Sequence, residues 1–198
     1  MLGVSVPEAL LLGSALGLGA FAVQSQREDV VSVRASDGRE YLVQNYPDRV
    51  RAAEMLARLR AKLVAFIAYA TGPTVAPEVA SDPRMIRLQQ NWNSDTLNEG
   101  SNHSSYTSFT TDKRDITMCL RSSTTNRLEP ESLLTFVLLH EAAHCATEQA
   151  SDPHNPDFWA NFKFVLQVAV AGGFYVKQDF RARPVKFCGV DVTDSPLH

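Results

Sequence analysis

The stretch Leu138-Leu-His-Glu-Ala-Ala-His-Cys145 decides which fold this chain adopts, because it contains the pattern His140-Glu141-x-x-His144. On a helix, two side chains four positions apart are separated by about 40° around the axis. Both imidazoles would therefore project from one face, where they can bind a single metal ion. Glu141 would stand where a carboxylate can accept a proton from a metal-bound water. The pattern is typical of a metal-binding helix in a zinc hydrolase.

The residues around this pattern predict that the helix is buried. The run from Leu133 to Ala146 is apolar on nearly every side, as expected for a helix inside a core. Imidazole and carboxylate groups are costly to bury without strong partners, and a metal ion supplies one. The alternative is a pair of core histidines that hydrogen-bond to backbone groups.

A third protein ligand is expected after His144, because catalytic zinc usually has three protein ligands and one water. The candidates are Glu148, Asp152 and His154. His154 is favoured because it stands in a proline-flanked turn that would return it toward the first helix. Glu148 and Asp152 remain alternatives at this stage.

Further residues give the chain a resemblance to a known family. His140-Glu-x-x-His144, a third histidine and the pair Phe158-Trp159 after it resemble the WLM metallopeptidases, which are related to the SprT-like zinc peptidases. The resemblance is greatest to the small, membrane-anchored WLM-domain proteins of large DNA viruses and algae. It covers most of the chain and is also carried by Asp37-Gly-Arg-Glu-Tyr-Leu-Val43, Tyr106-Thr-Ser-Phe109, Cys119-Leu-Arg121, Phe162-Lys-Phe164, Cys188-Gly189 and Thr193-Asp-Ser-Pro196.

This resemblance implies an α+β fold of the zincin-like, gluzincin type, with short β-hairpins beside the active-site helix. It also implies one Zn²⁺ per chain, held by His140, His144 and His154, with Glu141 as the general base. In such folds the strand before the zinc helix borders the cleft, and an extended substrate can pair with its edge.

Composition limits the class of partner. The 198 residues are 44% hydrophobic and 21% charged, as expected for one globular domain with an appendage. The net charge is −3 and there is no basic stripe, so the sequence carries no strong nucleic-acid signal. Three widely spaced cysteines predict no disulfide framework and a reducing compartment.

The N-terminal segment predicts a membrane anchor. Residues 1–26 contain one charged side chain, and residues 9–23 contain none. Arginines follow this segment but do not precede it, so the zinc peptidase domain, residues 27–198, is expected on the cytosolic side of a single-pass membrane protein. A cleaved signal peptide and a buried core helix are the alternatives.

The rest of the sequence predicts a small mixed domain. Turn residues separate β-rich runs, and Pro-containing starts and Gly-containing ends delimit the helices. The region Thr74–Ser104 is too long for an idle loop, and we expect it to border the active-site cleft. The expected elements are hairpins over 30–44 and 105–121, helices over 47–72, 83–92, 130–150 and 156–173, and an irregular tail over 179–196 with short strands.

Together these features predict a zinc peptidase that acts on protein or peptide substrates. Zinc would polarise the scissile carbonyl and acidify its water, and Glu141 would pass the proton to the leaving amine. His103 or Tyr106 could stabilise the oxyanion, although the alternative is an ordinary loop histidine and a packed tyrosine. Two other functions fit the motif: a non-catalytic membrane or virion-associated protein braced by zinc, and a zinc hydrolase acting on something other than peptides.

Overall fold

The computed structural model describes residues 29–101, 108–148 and 151–198, and in these ranges the chain has a mixed α+β fold with small sheets. The α+β class is therefore confirmed. The helices in the described ranges are α1 (Arg49–Ala70), α2 (Pro77–Ala80), α3 (Pro83–Asn91), α4 (Glu131–Ala146) and α5 (Pro156–Ala171).

Three small sheets accompany the helices. One is the antiparallel hairpin β1–β2, and another is the antiparallel hairpin β6–β7. The third has the order β3-β5-β4, in which β5 pairs parallel with β3 and antiparallel with β4. The strands are β1 (Val30–Arg34), β2 (Glu40–Gln44), β3 (Asn98–Glu99), β4 (Phe109–Thr111), β5 (Asp115–Met118), β6 (Val185–Phe187) and β7 (Val190–Val192).

Helix α4 occupies the centre of the core, as its apolar sequence predicts. Every residue from Leu133 to Ala146 is buried except His140, which is half-buried. The helix packs against α1, α3 and α5. It ends at Ala146, earlier than the predicted position 150, because Thr147 takes an extended backbone conformation.

A buried polar network joins the N-terminal hairpin to the three-stranded sheet. The carboxylate of Glu99 accepts a hydrogen bond from the backbone N–H of Gln44 at 2.8 Å and another from Arg121 Nε at 2.9 Å. Arg121 Nη1 also donates to Asp48 Oδ1 at 2.7 Å, beside the start of α1. Removing Arg121 would leave the buried Glu99 carboxylate without its charged partner, and breaking a buried pair in this way typically costs about 3–5 kcal/mol.

The prediction that the cysteines form no disulfide is wrong for two of the three. Cys119 and Cys188 form a disulfide, with their Cα atoms 6.4 Å apart, whereas Cys145 is free and buried. The pair lies 69 positions apart in sequence and meets because the β6–β7 turn folds back against the end of β5. The cysteine argument for a reducing compartment therefore no longer holds.

The prediction of a single-pass membrane protein also needs correction. Across residues 29–101, 108–148 and 151–198, no helix is both long and apolar enough to cross a bilayer. The predicted anchor, residues 1–26, lies outside the described residues.

Candidate metal centre

The structure brings together the three histidines that the sequence singled out. His140 and His144 project from α4, and His154 lies in the turn before α5. One ring nitrogen from each residue lies within 4.8 Å of the others, and Nε2 of His140 is 3.2 Å from Nε2 of His154. Among the described residues, no acidic or cysteine side chain joins this cluster.

One aromatic side chain contacts all three imidazoles. Phe158, fully buried at the start of α5, stacks on His144 with ring centroids 4.2 Å apart. The rings of His140 and His154 each meet it edge-on at 4.9 Å. Phe158 therefore forms an apolar surface that restricts the orientation of every ring in the cluster.

Burial keeps the two helix histidines neutral. It lowers the pKa of His140 to about 4, with the charge of His154 acting in the same direction. For His144, burial again dominates, and together with His140, His154 and Lys113 it lowers the pKa to about 3. Because a metal binds the unprotonated imidazole, both rings are in the ligand form at neutral pH.

Glu141 lies beside the cluster and contacts the neighbouring strand. Its side chain is only 3% exposed, and its Oε2 accepts a hydrogen bond from Thr110 Oγ1 of β4 at 2.8 Å. Burial raises the pKa of Glu141 to about 7, although the Thr110 hydrogen bond opposes this effect. A carboxyl group with such a pKa can both accept and return a proton near neutral pH.

The two alternative third ligands have other partners. Glu148 Oε1 pairs with Arg87 Nη2 at 2.8 Å, and Asp152 Oδ1 accepts the backbone N–H of His154 at 2.9 Å. Asp152 thus shapes the turn that presents His154, instead of approaching the cluster itself. Of the three candidates, only His154 faces His140 and His144.

Side chains from α3 and α5 fix the end of α4 that carries the cluster. Arg87 donates to the carbonyl of Ala146 at 2.7 Å, and Asn91 donates to that of Cys145 at 2.9 Å. These bonds satisfy carbonyls that have no partner within the helix. Asn161 of α5 donates to Thr147 Oγ1 at 3.0 Å, so the end of α4 is tied to the helix that follows the His154 turn.

The donor set fits zinc. Two Zn–N bonds of about 2.0–2.1 Å at a tetrahedral angle place the nitrogens roughly 3.3 Å apart, close to the 3.2 Å between His140 and His154. Three imidazoles are a common catalytic ligand set for this metal and leave one position for water or substrate.

A cleft of about 550 Å³ opens onto the histidines and Glu141. Its walls include β4, the β4–β5 turn, α4 and the β6–β7 hairpin. Within the described part of Thr74–Ser104, no residue lines it, so the expectation that this region borders the cleft is wrong for residues 74–101. That stretch instead supplies α2, α3 and β3. Helix α3 packs against α4, β3 pairs with β5, and α2 packs against α3.

Sequence reasoning missed two contributors to the cleft. Thr110 precedes Glu141 by 31 positions, and a threonine in a short strand has no distinguishing signal. Lys113 lines the cleft from a turn in which it takes a positive φ of 60°. The two predicted oxyanion candidates, His103 and Tyr106, lie outside the described residues.

These features define an α+β protein with a candidate three-histidine metal site. The chain is 29% identical over 160 residues to an uncharacterized protein of Acanthamoeba polyphaga mimivirus, and the match covers 80% of each chain. The similarity is therefore to a viral protein, which agrees with the viral part of the expected resemblance. No protein-family model and no solved structure matches the chain, so the WLM or SprT family and the zincin-like topology remain predictions.

Proposed function

We propose that this protein is a zinc-dependent peptidase of the WLM and SprT type, with a zincin-like catalytic domain. The observation that supports this function best is the convergence of three histidines with a buried carboxylate at the edge of an open cleft. His140, His144 and His154 are the proposed ligands, and Glu141 is the proposed base. A bound zinc ion would supply Lewis acidity to the carbonyl and would acidify a water molecule.

Two side chains of the protein, Glu141 and Thr110, account for the proton transfer. Glu141 takes a proton from the attacking water and delivers it to the leaving amine. Thr110 holds one carboxylate oxygen at 2.8 Å and so leaves the other free for this exchange. Burial favours transfer because the raised pKa of Glu141 lies near neutral pH.

The strand β4 provides a surface for an extended peptide. In the described sheet it pairs only with β5, and Phe109 and Thr110 line the cleft. A peptide main chain laid along this edge would form backbone hydrogen bonds without requiring a particular side chain. Protein or peptide substrates therefore suit the cleft.

A purely structural role for zinc is less consistent with these features. Structural zinc sites normally have four protein ligands, often cysteines. Here the described residues supply three ligands and no cysteine. Glu141 is not needed as a ligand, and the cleft gives it access to a substrate.

The metal content tests the ligand set. We expect one zinc per chain in the wild-type protein by mass spectrometry, and loss of zinc in His140→Ala, His144→Ala and His154→Ala. His198→Ala is the matched control, because this histidine contacts Gln178 and does not belong to the cluster, so its loss should leave zinc in place. Zinc retained by His154→Ala would contradict the three-histidine site.

The variant Glu141→Gln tests catalysis separately. It keeps the size of the side chain and the Thr110 contact, so we expect zinc to be retained while peptide hydrolysis falls at least about 100-fold. The measurement is cleavage of an unstructured protein by the zinc-loaded variant and wild type. Equal rates would rule out Glu141 as the base.

A further inference from the structure

One wall of the cleft is apolar and comes from two distant parts of the chain. Helix α4 contributes Phe136 and Val137, and the β6–β7 hairpin contributes Phe187, Val190 and Val192. The charged residues of the cleft, Asp112, Lys113 and Glu141, lie in the β4–β5 turn and in α4.

This wall lies next to the histidine cluster. Phe136 and Val137 precede His140 and Glu141 by four positions, so each pair shares a helix face. Four residues of helix correspond to about 6 Å along the axis. Adjacent residues of an extended peptide have Cα atoms about 3.8 Å apart. A side chain flanking the bond held at the metal would therefore reach the wall.

Aromatic packing and a disulfide hold this apolar wall in place. Phe136 packs against Phe180 and Phe162, with ring centroids 4.8 and 5.3 Å apart. The hairpin is tied to the chain just after β5 by the disulfide between Cys119 and Cys188. A fixed apolar surface can discriminate between side chains by size, because it does not collapse when the side chain is small.

We propose that this wall is a specificity pocket for a large apolar side chain next to the scissile bond. The inference rests on the proposed peptidase function and adds the class of substrate: peptides with residues such as leucine or phenylalanine beside the cleaved bond. The histidine cluster, Glu141 and the edge strand β4 line the same cleft as this wall, and this combination favours a peptide as the occupant. The wall carries no charged side chain, so an acidic or basic residue at this position would be desolvated without a partner.

Val190 offers a way to change the pocket without disturbing the core. Its side chain is 51% exposed, directly after the positive-φ turn of Cys188 and Gly189, so a larger residue is accommodated there. Val190→Trp would fill part of the pocket from the solvent side. Val176→Trp is the matched control, since Val176 is 81% exposed and does not line the cleft.

The experiment compares kcat/KM for matched peptides that place leucine, alanine or aspartate on either side of one cleavable bond. On one side of the bond, we expect leucine to exceed alanine by about 10–100-fold, because a few methylenes in an apolar pocket discriminate to this extent. Val190→Trp should reduce the leucine-to-alanine ratio at least about tenfold, whereas Val176→Trp should leave the ratio unchanged.

The same experiment distinguishes failure of the pocket from failure of the peptidase proposal. Hydrolysis with equal kcat/KM for all three residues would overturn the pocket and leave the peptidase proposal standing. Absence of hydrolysis by the zinc-loaded wild type would overturn both. Val190→Trp could also raise kcat/KM equally for every peptide. The tryptophan would then be displacing another part of this chain from the wall, and this result would also overturn the pocket.

Discussion

Glu141 is the residue at which stability and proposed function conflict. Its carboxyl group is buried between β4 and α4, and the hydrogen bond from Thr110 compensates only part of the lost hydration. Burial therefore raises its pKa to about 7. A carboxylate held this way destabilises the folded protein when it is ionised, yet ionisation is what a general base requires.

This conflict predicts a pH-dependent stability difference in the metal-free protein. Glu141 binds its proton more tightly when folded, so its contribution to stability is full below about pH 4.5 and is lost as the pH rises through about 7. Glu141→Gln lacks this titration and should gain stability relative to wild type over that window, by about 3 kcal/mol at pH 8, since the rise from 4.5 to about 7 is worth about 1.4 kcal/mol per pKa unit.

The measurement is urea unfolding of EDTA-treated wild type and Glu141→Gln at pH 4.5, 6 and 8. Other histidine and carboxyl titrations are common to both proteins and cancel in the difference. A difference that stays constant with pH would contradict the raised pKa of Glu141.

For single residues, the sequence predicted those site residues that lie close together along the chain. The spacing of His140, Glu141 and His144 on one helix was sufficient to predict their juxtaposition. For the third ligand the sequence favoured His154 but left Glu148 and Asp152 open, and the structure shows that these two contact Arg87 and the His154 backbone instead. Thr110 carries no sequence signal, since its role arises only when β4 lies against α4.

At the scale of the elements, the β6–β7 hairpin depends on the disulfide. The hairpin has two three-residue strands and a turn at Cys188-Gly189 in which both residues take positive φ. A two-stranded hairpin of this size is marginal alone. The covalent link between Cys188 and Cys119 therefore fixes the apolar wall of the cleft.

Replacing both cysteines should weaken the protein measurably. The disulfide spans 69 positions, for which the loop-entropy model gives about 4 kcal/mol. We expect Cys119→Ser/Cys188→Ser to lose about 2–4 kcal/mol of unfolding free energy in denaturant titrations. Thiol titration of unfolded wild type prepared without reductant should detect one thiol, Cys145, and three after reduction. Three thiols before reduction would exclude the disulfide.

The elements themselves were largely predictable because their signals are local. Asp37-Gly38 marks the turn of the first hairpin, Pro156 opens α5, and Gly172-Gly173 follows its end. Strand β3 was not predicted, since it is two residues long and depends on pairing with β5. The Cys119–Cys188 disulfide was not predicted for a similar reason, because the spacing of cysteines in the sequence does not reveal which distant segments meet.

At the scale of the whole molecule, the candidate metal site joins α4 to the turn before α5. The two helices otherwise meet through side chains such as Phe158 and through the Asn161 hydrogen bond to Thr147. A metal ion that bridges His140, His144 and His154 would add a link across this junction, at the cleft beside the core. Metal binding should therefore raise the free energy of unfolding of the whole domain, in addition to ordering the turn that carries His154.

This coupling predicts a large thermal shift. Zinc in 1,000-fold excess over its dissociation constant stabilises the folded state by about 4 kcal/mol. For a chain of 198 residues, a Tm rises by about 2–4 °C per kcal/mol, so we expect a shift of about 10 °C. His154→Ala should lose most of this shift because it removes the only ligand outside α4, whereas His198→Ala should keep it. Differential scanning calorimetry of the EDTA-treated proteins with and without zinc makes the comparison, and an equal shift in His154→Ala and wild type would mean that zinc binds elsewhere.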